Sequence, residues 1–84
     1  MYITLLTQLI EPILFEKISE IEIRELSEKQ HYELMIMAPK SFLPILIGKK
    51  NTTKNALTTI IESKAHLENN TISLVISELY LWNI

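Results

Sequence analysis

Leu46-Ile47-Gly48-Lys49-Lys50-Asn51-Thr52-Thr53-Lys54 is the stretch on which the reading of this chain turns. An apolar segment runs into a glycine, two lysines and a polar turn, and a helical pattern follows. Gly48 is the only glycine in 84 residues. A chain that uses glycine once is expected to use it where no side chain fits, for its backbone angles or for close approach of another molecule. Lysines on a turn at a helix start favour an anion as that molecule, because the first amides of a helix carry partial positive charge. Two plainer readings stand beside this one. Gly48 can cap the end of the apolar segment before it, and Lys49 and Lys50 can complement that segment's carboxyl end.

Downstream, Ala56, Leu57, Ile60, Ile61 and Lys64 recur at helical spacing. They predict a helix over 52–67 with Asn51 or Thr52 as N-cap. Glu68-Asn69-Asn70 breaks it, and Ile72, Leu74 and Ile76 then alternate with Ser73, Val75 and Ser77 in a strand over 71–79. Upstream, 41–47 reads as one or two helical turns with Pro44 near the start. Residues 31–38 read as a strand closed by Pro39. Tyr32, Leu34 and Ile36 lie on one face, and Met35 and Met37 on the other are taken as ordinary packing. Ser27-Glu28-Lys29-Gln30 is a polar connection of hairpin length. In 20–26, Ile21 and Ile23 oppose Glu20, Glu22 and Arg24, the pattern of a half-buried strand. Leu5, Leu6, Leu9, Ile10, Ile13 and Leu14 predict an amphipathic helix over 3–15, which Pro12 must kink or end at Glu11. The order α-β-β-α-turn-α-β predicts an α+β fold, a small three-stranded sheet covered on one face by three helices. The glutamates of the first half read as the solvent side of that helix and hairpin. Tyr80 and Trp82, in the apolar end 80–84, read as core or contact residues.

Composition narrows the function classes. A hydrophobic fraction of 48% suits one small globular domain over 1–84 and argues against disorder. With no cysteine, disulfides and thiolate metal sites are excluded. No signal peptide and no apolar run of bilayer length is read, so a cytoplasmic protein without membrane association is expected. The sequons at Asn51 and Asn69 are too short to carry weight. His31 and His66 read as surface residues, with no acid at metal spacing. No carboxylate pair, nucleophile–base set or nucleotide-hydrolase phosphate loop is found, so no catalysis, metal or cofactor is expected. The net charge of −2 hides an asymmetry. Residues 1–37 hold three basic groups against seven acids, and residues 38–84 hold five against three. Lys40, Lys49, Lys50 and Lys54 lie in 39–56, which contains no acid. Screening confines charge to about 8–10 Å, so such a patch can bind phosphate on an acidic protein; on charge alone, a solvated surface loop is the preferred reading.

The run Ile45-Leu46-Ile47-Gly48-Lys49, with Thr53-Lys54-Asn55-Ala56-Leu57 after it, resembles the loop and following helix of KH domains. Ile21-Glu22-Ile23-Arg24-Glu25 is similar to the first strand of the small single-KH bacterial RNA-binding proteins of the KhpA type. The likeness spans about residues 5–79, and the element order is that of a type II KH domain. It implies a protein that is not an enzyme and that clamps the backbone of single-stranded RNA at a Gly-x-x-Gly loop. RNA chaperones and post-transcriptional regulators of this kind pair with themselves or with a second KH protein. Mapped here, the implied RNA-binding residues are Lys40, Ile47, Gly48, Lys49, Lys50, Asn51, Thr52, Thr53 and Lys54. The amides and hydroxyls of Thr52 and Thr53 would meet phosphate, and Ile47, Leu57 or the second strand would carry bases. Asn51 departs from the pattern, standing where the family has its second glycine. Asparagine tolerates left-handed angles, so the turn is expected to form with a side chain where the family shows bare backbone. The competing reading is a degenerate KH scaffold serving as a protein-interaction or dimerisation module, suggested by Asn51, the pI of 5.6 and the apolar end.

Overall fold

A computed structural model of the chain describes residues 1–79; the segment 80–84, with Tyr80 and Trp82, lies outside the described residues. The strand predicted over 31–38 is β2 (His31–Ala38), the centre of a mixed three-stranded sheet. β1 (Glu22–Glu28) pairs with it antiparallel, from Glu22 opposite Met37 to Glu28 opposite His31. Lys29 and Gln30 make the turn, with Lys29 in the left-handed region at φ 55°. β3 (Thr71–Glu78) pairs with β2 in parallel, Leu34 opposite Leu74 and Ile36 opposite Ile76. That pairing needs a crossover, which α2 (Leu43–Ile47) and α3 (Thr52–Leu67) supply.

The core lies on one face of this sheet. Leu34, Ile36 and Ala38 of β2 and Leu74 of β3 are buried with helical residues spaced four apart. These are Leu6, Ile10 and Leu14 of α1 (Ile3–Leu14), and Leu57, Ile61 and Ala65 of α3. Phe42 and Leu46 complete the cluster from the α2 side. The fold is α+β, as the order of elements predicts. Met35 and Met37 belong to the opposite face, where Val75 and Leu26 are exposed beside them. Among the described residues no helix covers that face, so the two methionines do not pack into the core.

Three local features go beyond the expectations from sequence. Pro12 does not end the first helix at Glu11. α1 continues to Leu14, whose burial holds the last turn, and the amide of Phe15 donates to the Glu11 carbonyl. Phe15 then turns the chain at φ 57° and 3₁₀ turns fill Phe15–Glu20, so the strand expected over 20–26 begins at Glu22 and runs to Glu28.

Glu25 is the second change, because it is not a solvent-side glutamate. It sits opposite Leu34 on the inner face, 15% exposed at the side chain, and receives the amides of Tyr2 and Ile3 at 2.9 and 3.0 Å. α1 has no acid in its first turn and no side-chain cap of its own. A strand residue therefore takes the place of the cap and neutralises the helix start.

The third feature, at the chain's beginning, is one on which the sequence raised no expectation. Tyr2 is buried, packs edge-to-face on Tyr32 with centroids 5.0 Å apart, and donates its hydroxyl to Glu68 at 2.5 Å. Asn70 donates to the same hydroxyl at 2.8 Å.

Candidate nucleic-acid interface

The Gly48 turn is held up by the two helices it joins. Phe42 and Leu46 are buried and fix α2, and Leu57 and Ile61 fix the start of α3. α2 opens with Pro44 in its first turn, where the missing N–H costs nothing. Gly48 ends it at φ 79°, donating its amide to the Pro44 carbonyl at 2.9 Å. The plain C-cap role is thus real. A Cβ at Gly48 would stand 2.5 Å from Thr53 Oγ1 and 2.6 Å from the Thr53 amide nitrogen. No side chain fits there, and what fills the space is Thr53 of the same chain. The glycine's close approach is internal.

Lys50 and Asn51 both adopt left-handed angles, φ 55° and 64°. Asn51 takes that conformation as the sequence predicts; Lys50 was not foreseen, since lysine gives no signal for it. Asn51 occupies the N-cap position of α3, but its side chain makes no capping bond. Its amide instead donates to the Gly48 carbonyl at 3.2 Å. The amide of Thr52 donates to the Lys49 carbonyl, and the Thr52 hydroxyl donates to the same carbonyl at 2.8 Å. Those Thr52 donors are therefore spent inside the turn. Thr53 is half-buried against Gly48. The expectation that Thr52 offers its amide and hydroxyl outward fails for this reason.

Beside the turn lies a shallow groove of about 520 Å³ lined by Lys40, Leu43, Pro44, Ile47, Gly48 and Lys49. Its floor is apolar and its rim carries two ammonium groups. Four of the sequence-predicted residues line it, with Lys40 facing Ile47, Gly48 and Lys49 across the length of α2. Lys50, Asn51, Thr52 and Lys54 do not line the groove; Lys50, Asn51 and Thr52 are exposed on the turn and Lys54 is half-buried on the first turn of α3. Leu57 is only 4% exposed and cannot receive a base, and Leu34, Ile36 and Ala38 of β2 are buried as well. Leu43 and Pro44 are the apolar residues that the groove exposes instead. They were legible in principle, since positions 43, 44 and 47 share one side of a helix.

Charge supports the same surface. Among the described residues the ion pairs are Met1 with Glu25, Arg24 with Glu22, and Lys64 with Glu68. Among the described residues none of the four lysines in 39–56 forms an ion pair. Tertiary structure adds a fifth cation nearby, Lys17, whose Nζ stands 5.8 Å from the centre of the Phe42 ring. His31 and His66 are exposed, and His31 Nδ1 is hydrogen-bonded to the Thr71 hydroxyl at 2.7 Å. Among the described residues no cluster of three metal-ligating side chains occurs, and no helix is long and apolar enough to cross a membrane. Neither the family models nor the curated proteins contain a match to this chain.

Proposed function

We propose that this chain binds single-stranded RNA and catalyses no reaction. The observation that carries the reading is the apolar groove beside the Gly48 turn, rimmed by lysines that no carboxylate among the described residues pairs with. Backbone phosphates lie along Lys49, Lys50 and Lys40, and one or two bases rest on Leu43, Pro44 and Ile47. Such stacking on apolar surface is tolerant of sequence. The α-β-β-α-α-β order, with its mixed sheet and a turn between two helices, agrees with a KH-like domain of type II. Asn51 retains the left-handed turn but adds a side chain on the exposed side. The role that follows is an RNA chaperone or post-transcriptional regulator with weak, sequence-tolerant affinity for each site.

A second reading, a KH-like scaffold used for protein contacts, draws on the exposed outer face around Leu26 and Val75. Fluorescence anisotropy of a short labelled single-stranded RNA separates the two. For two to four neutralised phosphates, log affinity falls against log salt with a slope of roughly −1.5 to −3. The variant Lys49→Glu/Lys50→Glu abolishes binding while the fold stays intact. Unchanged affinity in that variant, or no binding by the native chain at low salt, removes the RNA reading. Charge reversal is a cleaner test than Gly48→Asp, because any side chain at Gly48 collides with Thr53.

A further inference from the structure

Lys17 belongs by sequence to the acidic half of the chain, the segment 1–37 with seven acids against three basic groups. The fold moves it to the basic side. It is exposed in the 3₁₀ segment Phe15–Glu20, and its Nζ stands 5.8 Å from the centre of the Phe42 ring. Phe42 shares a single 3₁₀ turn with Lys40, closed by the Phe42 amide on the Pro39 carbonyl at 2.9 Å. α2 begins directly after that turn and ends at Gly48. Lys49 therefore marks one end of α2, and Lys40 and Lys17 mark the other, roughly 9 Å away along the helix axis.

We propose that Lys17 is a further phosphate-binding residue, so that a bound single strand runs from the Gly48 turn along the groove to the Lys40 turn and on to Lys17. This rests on the RNA reading and lengthens its site by one cation. Among the described residues Lys17 takes part in no ion pair, although Glu16 and Glu20 lie on the same segment. The Phe42 ring holds the ammonium in place by cation–π attraction, so less side-chain freedom is lost when a phosphate arrives. Lys40 itself lines the groove, which makes the apolar floor and the Lys40 turn one continuous surface.

The chemistry at Lys17 differs from that in the groove. Phe42 is only 7% exposed, so its ring offers no face on which a base can stack. An ammonium alone contacts phosphate and carries no sequence information. The extension therefore lengthens the RNA footprint without adding a base preference. A strand must outrun the roughly four nucleotides of the turn's own site to reach it. Each phosphate contact on a single strand contributes about 0.7 to the slope of log affinity against log salt. Between about 1 M and about 50 mM salt, one such contact amounts to about eightfold in affinity.

Fluorescence anisotropy with a labelled uridine tetranucleotide and decanucleotide tests this on the native chain, Lys17→Gln and Lys17→Arg. Lys17→Gln is expected to weaken decanucleotide binding about eightfold at about 50 mM salt and to make the salt slope shallower by about 0.7. Its tetranucleotide affinity stays at the native value. Lys17→Arg keeps the native affinity for both, since the charge remains. Lys29→Gln, in the hairpin turn at the far end of β2 from Lys40, controls for net charge and changes neither. Urea unfolding of each variant separates lost stability from lost binding, and a purely structural role over Phe42 would not distinguish the two lengths. Native decanucleotide affinity and slope in Lys17→Gln, with Lys49→Glu/Lys50→Glu still abolishing binding, overturns the proposal and leaves the RNA reading standing. Equal losses for both lengths, or a matching loss in Lys29→Gln, overturn it too, because they report general charge rather than a contact. A native chain that binds neither oligonucleotide at low salt removes the RNA reading and this inference together.

Discussion

At the scale of single residues, the Gly48 turn shows how one position answers two demands. Its φ of 79° and the contact with Thr53 each exclude a side chain, so glycine is required before any ligand is considered. The strain in the turn is instead stored at Lys50 and Asn51. A non-glycine residue in the left-handed region costs about 1–2 kcal/mol, less for asparagine. Lys50→Gly is therefore expected to raise stability by about 0.5–1 kcal/mol in urea unfolding, and Asn51→Gly by less. If the RNA reading holds, Lys50→Gly also loses affinity, so stability and binding move in opposite directions at that position.

At the scale of elements, α1 depends on a strand for its beginning. No residue of its first turn is acidic, and its start is anchored by Glu25 of β1. Removing this acceptor leaves two amides without it, and bonds to a charged group contribute about 1.5–3 kcal/mol each at most. Glu25→Ala is expected to lower stability by about 1–3 kcal/mol, and Glu25→Gln by less because one oxygen still accepts. Amide exchange should quicken first in the opening turn of α1. An unchanged unfolding midpoint in Glu25→Ala would show that solvent caps the helix equally well.

At the scale of the whole molecule, Tyr2, Glu68 and Asn70 tie the first residues to the end of α3, and two ionisations report on that tie. The Glu68 carboxyl is held below its usual 4.5, chiefly by the Tyr2 hydroxyl and secondarily by Lys64, against the opposing effect of burial. A depressed carboxyl stabilises the fold above its unfolded value, and that contribution is lost as pH falls below about 4.5. The Tyr2 hydroxyl is raised above its usual 10.0, first by burial and then by the bond to Glu68. A raised phenol stabilises the fold below about 10 and ceases to do so as pH climbs through its folded value. Stability against pH, followed by denaturant unfolding, should fall at both ends. Glu68→Gln should flatten part of the acid limb, and Tyr2→Phe part of the alkaline limb. Parallel curves for native and variant chains would exclude the tie as their source.

Much of this fold was legible along the chain, because side-chain periodicity is a local property. The alternation in 31–38 and the four-residue spacing of Leu57, Ile61 and Ala65 gave β2 and α3 with their bounds, and the order of elements gave the α+β class. The left-handed turn at Asn51 was legible from its residue type. Contacts between distant residues were not. Glu25 looks like any surface glutamate until β1 is laid against α1. Leu57 looks available to a base until the sheet covers it, and Thr52 looks free to donate until the turn claims its amide and hydroxyl. Sequence by itself determined the order and type of the main helices and strands and most of their apolar positions, since those follow from local backbone preference and spacing. Only tertiary structure decided which donors, cations and apolar residues remain unsatisfied at the surface, because that depends on which partners the folded chain brings within hydrogen-bonding and van der Waals distance.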